Sequence, residues 1–305
     1  MPATEQSRAV AAPPGCAWCG AELVVGPGQP AGRLRCERCG AATTHPWPGE
    51  SELEAAYEGW YRPASGRFSG PGDALLRRSR GRLAARIDAI APAGRVLDVG
   101  AGDGALLDAL ARRGRPALGL ERRSERQDVR EAELEELDER FAAIVFWHSL
   151  EHLPRPRAAL TQAAKLLAPR GVLAVAVPNA GSLQARAFGD RWFALDLPRH
   201  LVHLPAATLR RGLSELGLTL ERESHLRGGQ VLFGWLHGLV GLLPGRPSLY
   251  DAIRRPAARS ARVSVPRRAA TLAATALLLP AAAVCALAEV ALRRGGSVYI
   301  EARRG

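Results

Sequence analysis

The spacing of apolar positions changes along this chain, and the changes separate strands from helices. The run Val96-Leu97-Asp98-Val99 is almost continuously apolar, as in a strand buried on both faces, and it opens into Gly100, Gly102 and Gly104. Leu106, Leu107 and Leu110 follow at helical spacing, and residues 116–120 predict a second strand ending in Glu121. Upstream, residues 73–90 predict a helix that would bury Leu75, Leu76, Leu83 and Ile87. Downstream, 206–216 reads as a helix, and 218–224 and 297–303 as strands. Between those two strands lie two apolar stretches: 231–243 has thirteen residues without a formal charge, and 269–288 has twenty, ten of them alanine.

Composition narrows the class. Of 305 residues, 47% are apolar and 24% charged, close to the globular average, which disfavours a wholly disordered chain, a collagen and a coiled coil. The formal charge is +12, and every basic residue except Lys165 is arginine. Such an excess raises encounter with nucleic acid, anionic lipid or a phosphorylated substrate. The preference for arginine over lysine has an equal explanation in the base composition of a genome. Residues 1–15 lack the basic start and continuous apolar stretch of a secretory signal, so they are expected to be a disordered tail on a cytoplasmic protein.

In a reducing compartment the cysteines point away from disulfides, and four of the five fall as Cys16-x2-Cys19-x16-Cys36-x2-Cys39. Two close pairs of thiolates joined by a loop can surround zinc tetrahedrally. Gly20 and Gly40 follow the pairs, where the absence of a Cβ lets the turn bring backbone N–H groups toward sulfur. With four cysteine ligands there is no open position for water, so the expected zinc ion is structural. Cys285 stands apart in an alanine-rich segment and is expected to be a small core residue.

A glycine turn between a strand and a helix lets a ligand approach backbone closely, and Glu121 ends the next strand where an acid can accept hydrogen bonds from ribose hydroxyls. Gly100-x-Gly102-x-x-Ala105 also satisfies a relaxed dinucleotide fingerprint. Charge separates the two readings. Asp98 and Asp103 flank the turn where a dinucleotide would place two phosphates, whereas S-adenosylmethionine is cationic and carries none.

With Asp98-x-Gly100-x-Gly102-x-Gly104, the chain resembles the class I S-adenosylmethionine-dependent methyltransferases, in their small-molecule branch. Residues 141–154 are similar to that family's fourth strand and following loop, 167–179 to its fifth strand, and 196–205 to a lid segment. The resemblance covers roughly 57–223 plus the last strand. It implies a Rossmann-like, doubly wound α/β sheet closed by an antiparallel final strand, with the N-terminal zinc module and the helical insertion added to it. It also implies that Asp98, Gly100, Gly102, Gly104 and Glu121 bind the cofactor. Only about twenty residues separate Glu121 from the fourth strand, so the segment that brackets adenine is shortened, and Asp128 is the candidate for the adenine amino group within a run that otherwise reads as solvated charge. The family's frequent aspartate at the start of the fourth strand is Ala142 here.

In an open parallel sheet the ligand lies beyond the carboxyl ends of the strands, which makes His148, Glu151 and His152 the catalytic candidates. The alternative is that Glu151 and His152 brace the next helix while His148 lines the cofactor. Arg199, His200 and His203 form a second polar cluster that would contact substrate or simply hydrogen-bond its own loop. Tyr57, Trp60, Tyr61 and Phe68 lie on a linker, where Tyr57 and Tyr61 are candidates to roof the acceptor and packing onto the core is the alternative.

Domain boundaries follow: tail 1–15, zinc-ribbon-like module 16–45, aromatic linker 46–70, methyltransferase domain 71–225 and 296–305, and apolar, basic insertion 226–295. Because strands on both sides of the insertion would belong to one sheet, a single membrane crossing is excluded. Thirteen helical residues span only about 20 Å against a hydrocarbon core of roughly 30 Å, so two crossings also fail. Residues 244–268 carry seven arginines against one aspartate, which favours the inner membrane face. The expectation is peripheral membrane contact through 231–292 or the wall of an apolar acceptor pocket, against the alternative of a buried cap or oligomer contact. The expected activity is O- or C-methylation of a small-molecule or lipid-linked acceptor. A zinc module and a basic surface would also suit an RNA methyltransferase, and loss of turnover would leave a cofactor-binding, membrane-associated regulator.

Overall fold

A computed structural model describes residues 13–26, 29–58, 68, 72–226, 229–256, 259 and 262–304. The N-terminal cysteine region contributes β1 (Arg33–Arg35) and β2 (Ala42–Thr44), followed by α1 (Glu50–Glu58). The main body then runs α2 (Gly72–Ile90), β3 (Val96–Val99), α3 (Ala105–Ala111), β4 (Ala117–Leu120), β5 (Val129–Arg130), β6 (Phe141–Trp147), α4 (Pro156–Leu166) and β7 (Leu167–Pro178). After it come α5 (Leu183–Phe188), β8 (Val202–His203), α6 (Ala206–Glu215) and β9 (Leu218–Ser224). The insertion supplies α7 (Gly229–Gly241), α8 (Leu249–Ile253) and α9 (Val265–Ala291), and β10 (Ser297–Arg304) ends the fold. Of the expected tail, residues 1–12 lie outside the described residues, as do Trp60 and Tyr61 of the linker.

Seven strands form one sheet in the order β5-β4-β3-β6-β7-β10-β9. β3 pairs in parallel with β4 and β6, and β6 with β7, whereas β10 runs antiparallel to both β7 and β9. This is the doubly wound α/β sheet with an antiparallel final strand. Successive side chains on a strand point to opposite faces, so the central strands must be apolar throughout. Val96, Ala143, Val145, Ala174 and Ala176 pack with Leu83, Ile87 and Leu110 of α2 and α3. Leu97, Ile144, Phe146, Leu173 and Val175 pack on the other side with Leu160 of α4 and Leu209 of α6. Only the second half of α2 reaches the sheet. Leu75 is consequently 63% exposed and Leu76 half-buried, contrary to the helical pattern's expectation.

Between Glu121 and β6 the chain has room for only the two residues of β5 and a short turn at Leu134–Glu136. The cysteine region is joined to the main body, a connection that sequence spacing did not reveal. β1, β2 and β8 form a second sheet in that order, and β8 belongs to the lid segment. Trp18 packs against Gly212 of α6, and Cys39 O accepts from Thr208 Oγ1 at 2.6 Å.

The insertion packs α7 and α9 together, with Trp235, Leu236 and Ala282 in a core shared with Phe188 and Trp192. A buried carboxylate fastens it. Glu289 of α9 accepts from Gln184 N at 3.0 Å, Gln184 Nε2 at 2.7 Å and Trp235 Nε1 at 2.9 Å, and burial pushes its pKa up.

Glu289→Ala leaves three donors without this acceptor and should cost about 3 kcal/mol in a denaturant melt. Two buried imidazoles make stability pH-dependent: burial pushes His203 down to about 3 and His237 down to about 4. Both are neutral in the folded chain and take up protons near 6.5 when unfolded, so their stabilisation is complete above that pH and falls away on acidification toward the folded values. At pH 5 each should have lost about 2 kcal/mol. The thermal midpoint should therefore drop between pH 7 and pH 5, and His203→Gln should flatten the slope.

Candidate functional site

The glycine turn follows β3. Gly100, Gly102 and Gly104 have φ of 79°, 58° and 72°, in the left-handed region that side chains rarely adopt. A Cβ on Gly100 would run into Ser149, and one on Gly104 into the guanidinium of Arg126. Glu121 locks the turn to the end of β4, its Oε2 accepting from Gly102 N at 2.8 Å and its Oε1 from Arg122 N at 2.9 Å. The carboxylate has further lone pairs with which to accept ribose hydroxyls. Asp98 lies buried on β3 just before the turn. A close-approach cradle between two acids fits a cationic nucleoside cofactor.

Asp128 has another partner. Both of its oxygens accept from Arg126 at 2.8 Å, and Arg126 also holds Asp108 at 2.8 Å. The hydrogen bonds from Arg126 hold the Asp128 carboxyl below the usual range despite some desolvation. Arg126 thus caps the glycine turn. Sequence reasoning missed it because it sits in a run of mixed charge, and it missed Ser149, whose hydroxyl donates to Val99 O at 2.5 Å, because one serine carries no pattern.

Beyond β6 the two polar groups expected from sequence converge into one cluster. His148 adopts φ of 56° and donates its backbone N–H to Ala176 O at 2.8 Å, so the main chain turns sharply at the strand end. Its Nδ1 lies 3.4 Å from Glu151 Oε1. His200 Nε2 is 3.9 Å from the same oxygen, and the His152 and His200 rings are 4.7 Å apart. Glu151 is 2% exposed, and neither of its side-chain oxygens has a hydrogen-bond partner among the described residues. Burial alone would raise the Glu151 carboxyl, but the close polar contact with His148, together with the charges of His148, His200 and His152, outweighs it and holds the group down to about 2. Burial pushes His152 down to about 4, helped by His200 and opposed by Glu151.

Tyr57 joins from α1, its hydroxyl 3.0 Å from His152 Nδ1. Burial raises that phenol to about 12 against the pull of Arg122 and Arg199. Arg199 turns its guanidinium onto Asp196, at 2.5 and 2.6 Å from the two carboxylate oxygens. His203 faces the cysteine region instead, where Thr44 Oγ1 accepts from its Nε2 at 3.1 Å and donates to His200 O at 2.6 Å. Tyr61 lies outside the described residues, and Phe68 packs edge-on against Tyr250 of α8.

The four cysteine sulfurs lie within 4.8 Å of one another, with Cys16 to Cys39 and Cys19 to Cys36 each 3.6 Å apart. Zn–S bonds of about 2.3 Å arranged tetrahedrally place sulfurs at nearly this separation. The contact between Cys16 and Cys39 pulls the Cys16 thiol down and pushes the Cys39 thiol up.

Comparison with known proteins adds a family. No curated protein sequence matches the chain. Among solved structures it is similar to the cyclase SpnF at 20% identity, covering 73% of this chain and 80% of that one with a TM-score of 0.44. It is also similar to an S-adenosylmethionine-dependent methyltransferase from Archaeoglobus fulgidus at 18% identity, over 74% and 94% of the two chains, with a TM-score of 0.40. For magnesium protoporphyrin IX methyltransferase from Synechocystis the identity is 18%, the coverage 49% and 76%, and the TM-score 0.39. Residues 73–223 match the family model described as a methyltransferase domain, a span that holds the glycine turn, Glu121 and the histidine cluster. Residues 73–223 form a class I S-adenosylmethionine-dependent methyltransferase domain.

Proposed function

We propose that this enzyme methylates an oxygen or carbon atom of a small-molecule or lipid-linked acceptor, and that its four cysteines hold a structural zinc ion. The observation that carries the reading is that the glycine turn and the acid–imidazole cluster occupy the same end of the sheet, while the insertion packs behind the lid. Phe193, next to Ala194 whose carbonyl accepts from His200, stacks against His237 of α7 and Tyr250 of α8. The insertion therefore backs the acceptor side with aromatic surface.

S-adenosylmethionine supplies an electrophilic methyl group when bound. The turn at Gly100, Gly102 and Gly104 gives it backbone contact, with Asp98 and Glu121 matching its positive charge and its ribose. His148, at the strand end, is placed to take a proton from an acceptor hydroxyl, with Glu151 stabilising the imidazolium that results. Tyr57, Arg199 and His200 line the side from which the acceptor enters. Asp128 is assigned to fixing Arg126 over the turn, and His203 to fixing the lid.

α9 is long and apolar enough to cross a membrane, with 17% of its most apolar window buried. Glu289 and β10 tie its C-terminal end to the sheet, which favours a helix lying along a bilayer surface over one passing through it. Leu277, Val284 and Leu287 are 82%, 67% and 72% exposed, and spacings of seven and three put them on one face. Arg267, Arg268, Arg293 and Arg294 at the two ends suit anionic headgroups at the cytoplasmic side of the membrane.

Calorimetric titration should show binding of S-adenosylmethionine and none of NAD, with Gly100→Ala, Asp98→Ala and Glu121→Ala each weakening it about tenfold or more. Binding of NAD instead would overturn the cofactor reading. Radiolabelled methyl transfer should reach lipid or small-molecule fractions of an extract, and label confined to RNA would favour the nucleic-acid alternative. The protein should float with anionic vesicles, and the combined Leu277→Glu, Val284→Glu and Leu287→Glu variant should stay behind while binding S-adenosylmethionine as well as wild type.

A further inference from the structure

Glu151 presents an electrostatic problem that the methyl-transfer reading leaves open. Its carboxylate is buried, neither oxygen makes an aligned hydrogen bond among the described residues, and the nearest imidazole, that of His148, stands off at 3.4 Å. His200 Nδ1 lies 2.9 Å from Ala194 O, and His152 Nδ1 lies 2.9 Å from Arg199 O. A carbonyl only accepts, so these contacts put a hydrogen on Nδ1 of each ring, shared at His152 with Tyr57 Oη at 3.0 Å, and leave Nε2 as the nitrogen that can bind a cation. His200 Nε2 faces Glu151 Oε1 at 3.9 Å and Asp196 Oδ2 at 3.6 Å. These separations are too long for a good hydrogen bond. A cation between them would engage the imidazole and the carboxylate together.

We propose that Glu151, His152 and His200 form a second metal site, binding a first-row divalent cation that presents open coordination positions to an acceptor hydroxyl.

One ligand atom from each of the three residues lies within 4.8 Å of the others. A cation about 2.1 Å from each ligand needs donors about 3 to 4 Å apart, so movements below about 1 Å complete the set. His200 already has the outer support common to metal ligands, its Nδ1 donating to Ala194 O, and His152 Nδ1 is held between Arg199 O and Tyr57 Oη. Asp196 does not compete as a ligand, because both its oxygens are held by Arg199, and that pairing keeps the guanidinium charge from the cation.

Two imidazoles and one carboxylate suit zinc, cobalt, manganese or ferrous iron better than magnesium or calcium, which favour oxygen alone. Three protein ligands leave open positions, unlike the four cysteines, and a hydroxyl bound to the cation gives up its proton more readily. Resting on the methyltransferase reading, the site narrows the acceptor to one that offers a hydroxyl and makes O-methylation the reaction.

The test uses the full-length protein carrying one zinc per chain at the cysteines, titrated with Co2+ alone and followed by absorption. The expected result is one further equivalent of cobalt with ligand-field bands and no sulfur-to-metal charge transfer. Glu151→Gln and His200→Gln should each weaken that binding about tenfold or more. Elemental analysis of zinc-saturated protein should give two zinc ions per chain in wild type and one in either variant. Absence of the second equivalent in wild type, or second-site affinity unchanged in both variants, overturns the proposal. Titration of the same preparation with S-adenosylmethionine separates the two readings: intact cofactor binding without a second metal refutes the metal site alone, whereas lost cofactor binding refutes the methyltransferase site.

Discussion

The arrangement of the site depends on a two-residue strand held from both sides. β8 pairs with β2 of the cysteine region, and Thr44 N donates to Leu201 O at 3.0 Å just before it. Leu201 N in turn donates to Glu151 O at 2.8 Å. A continuous hydrogen-bonded path therefore runs from the cysteine region through the lid to the turn that carries the central carboxylate. A two-residue strand has too few ladder bonds to hold itself, so its position depends on the partners at its edges. This gives the cysteines a function beyond local stability: by fixing β2, they fix where Arg199, His200 and His203 stand.

The second organising feature is charge without water. Glu151 and Glu289 are both fully buried, and they are satisfied in different ways. Glu289 receives three hydrogen bonds and acts as a rivet between α5, α7 and α9. Glu151 is surrounded by imidazoles at longer distances and keeps its oxygens available. A buried ion costs several kcal/mol when left uncompensated, so the imidazoles around Glu151 are what keep its carboxylate charged. The left-handed backbone at His148 and Asp196, with φ of 56° and 43°, lies on either side of it.

The insertion acts on the site through its inner face. Phe233, His237 and Tyr250 meet Phe193 in one aromatic group behind the lid, while the outer face of α9 leaves Leu277, Val284 and Leu287 in solvent. One helical layer thus packs behind the lid and offers an apolar surface outward.

Much of this was legible along the chain, because the signals were local. The strand and glycine turn at 96–104, the acid at Glu121, the paired cysteines and the closing strands at 218–224 and 297–303 are set by residues a few positions apart, where backbone sterics and burial on two faces leave few alternatives. What only the tertiary structure decided are the partners across long separations: Arg126 taking Asp128 away from a free role, Thr44 claiming His203, Leu75 left outside the core, and Glu151 meeting His200. Sequence fixes which side chains are available and the period on which they repeat. Hydrogen bonds and ion pairs act over about 3 to 4 Å, and which distant groups come within that reach is settled only when the sheet, lid and cysteine region pack together.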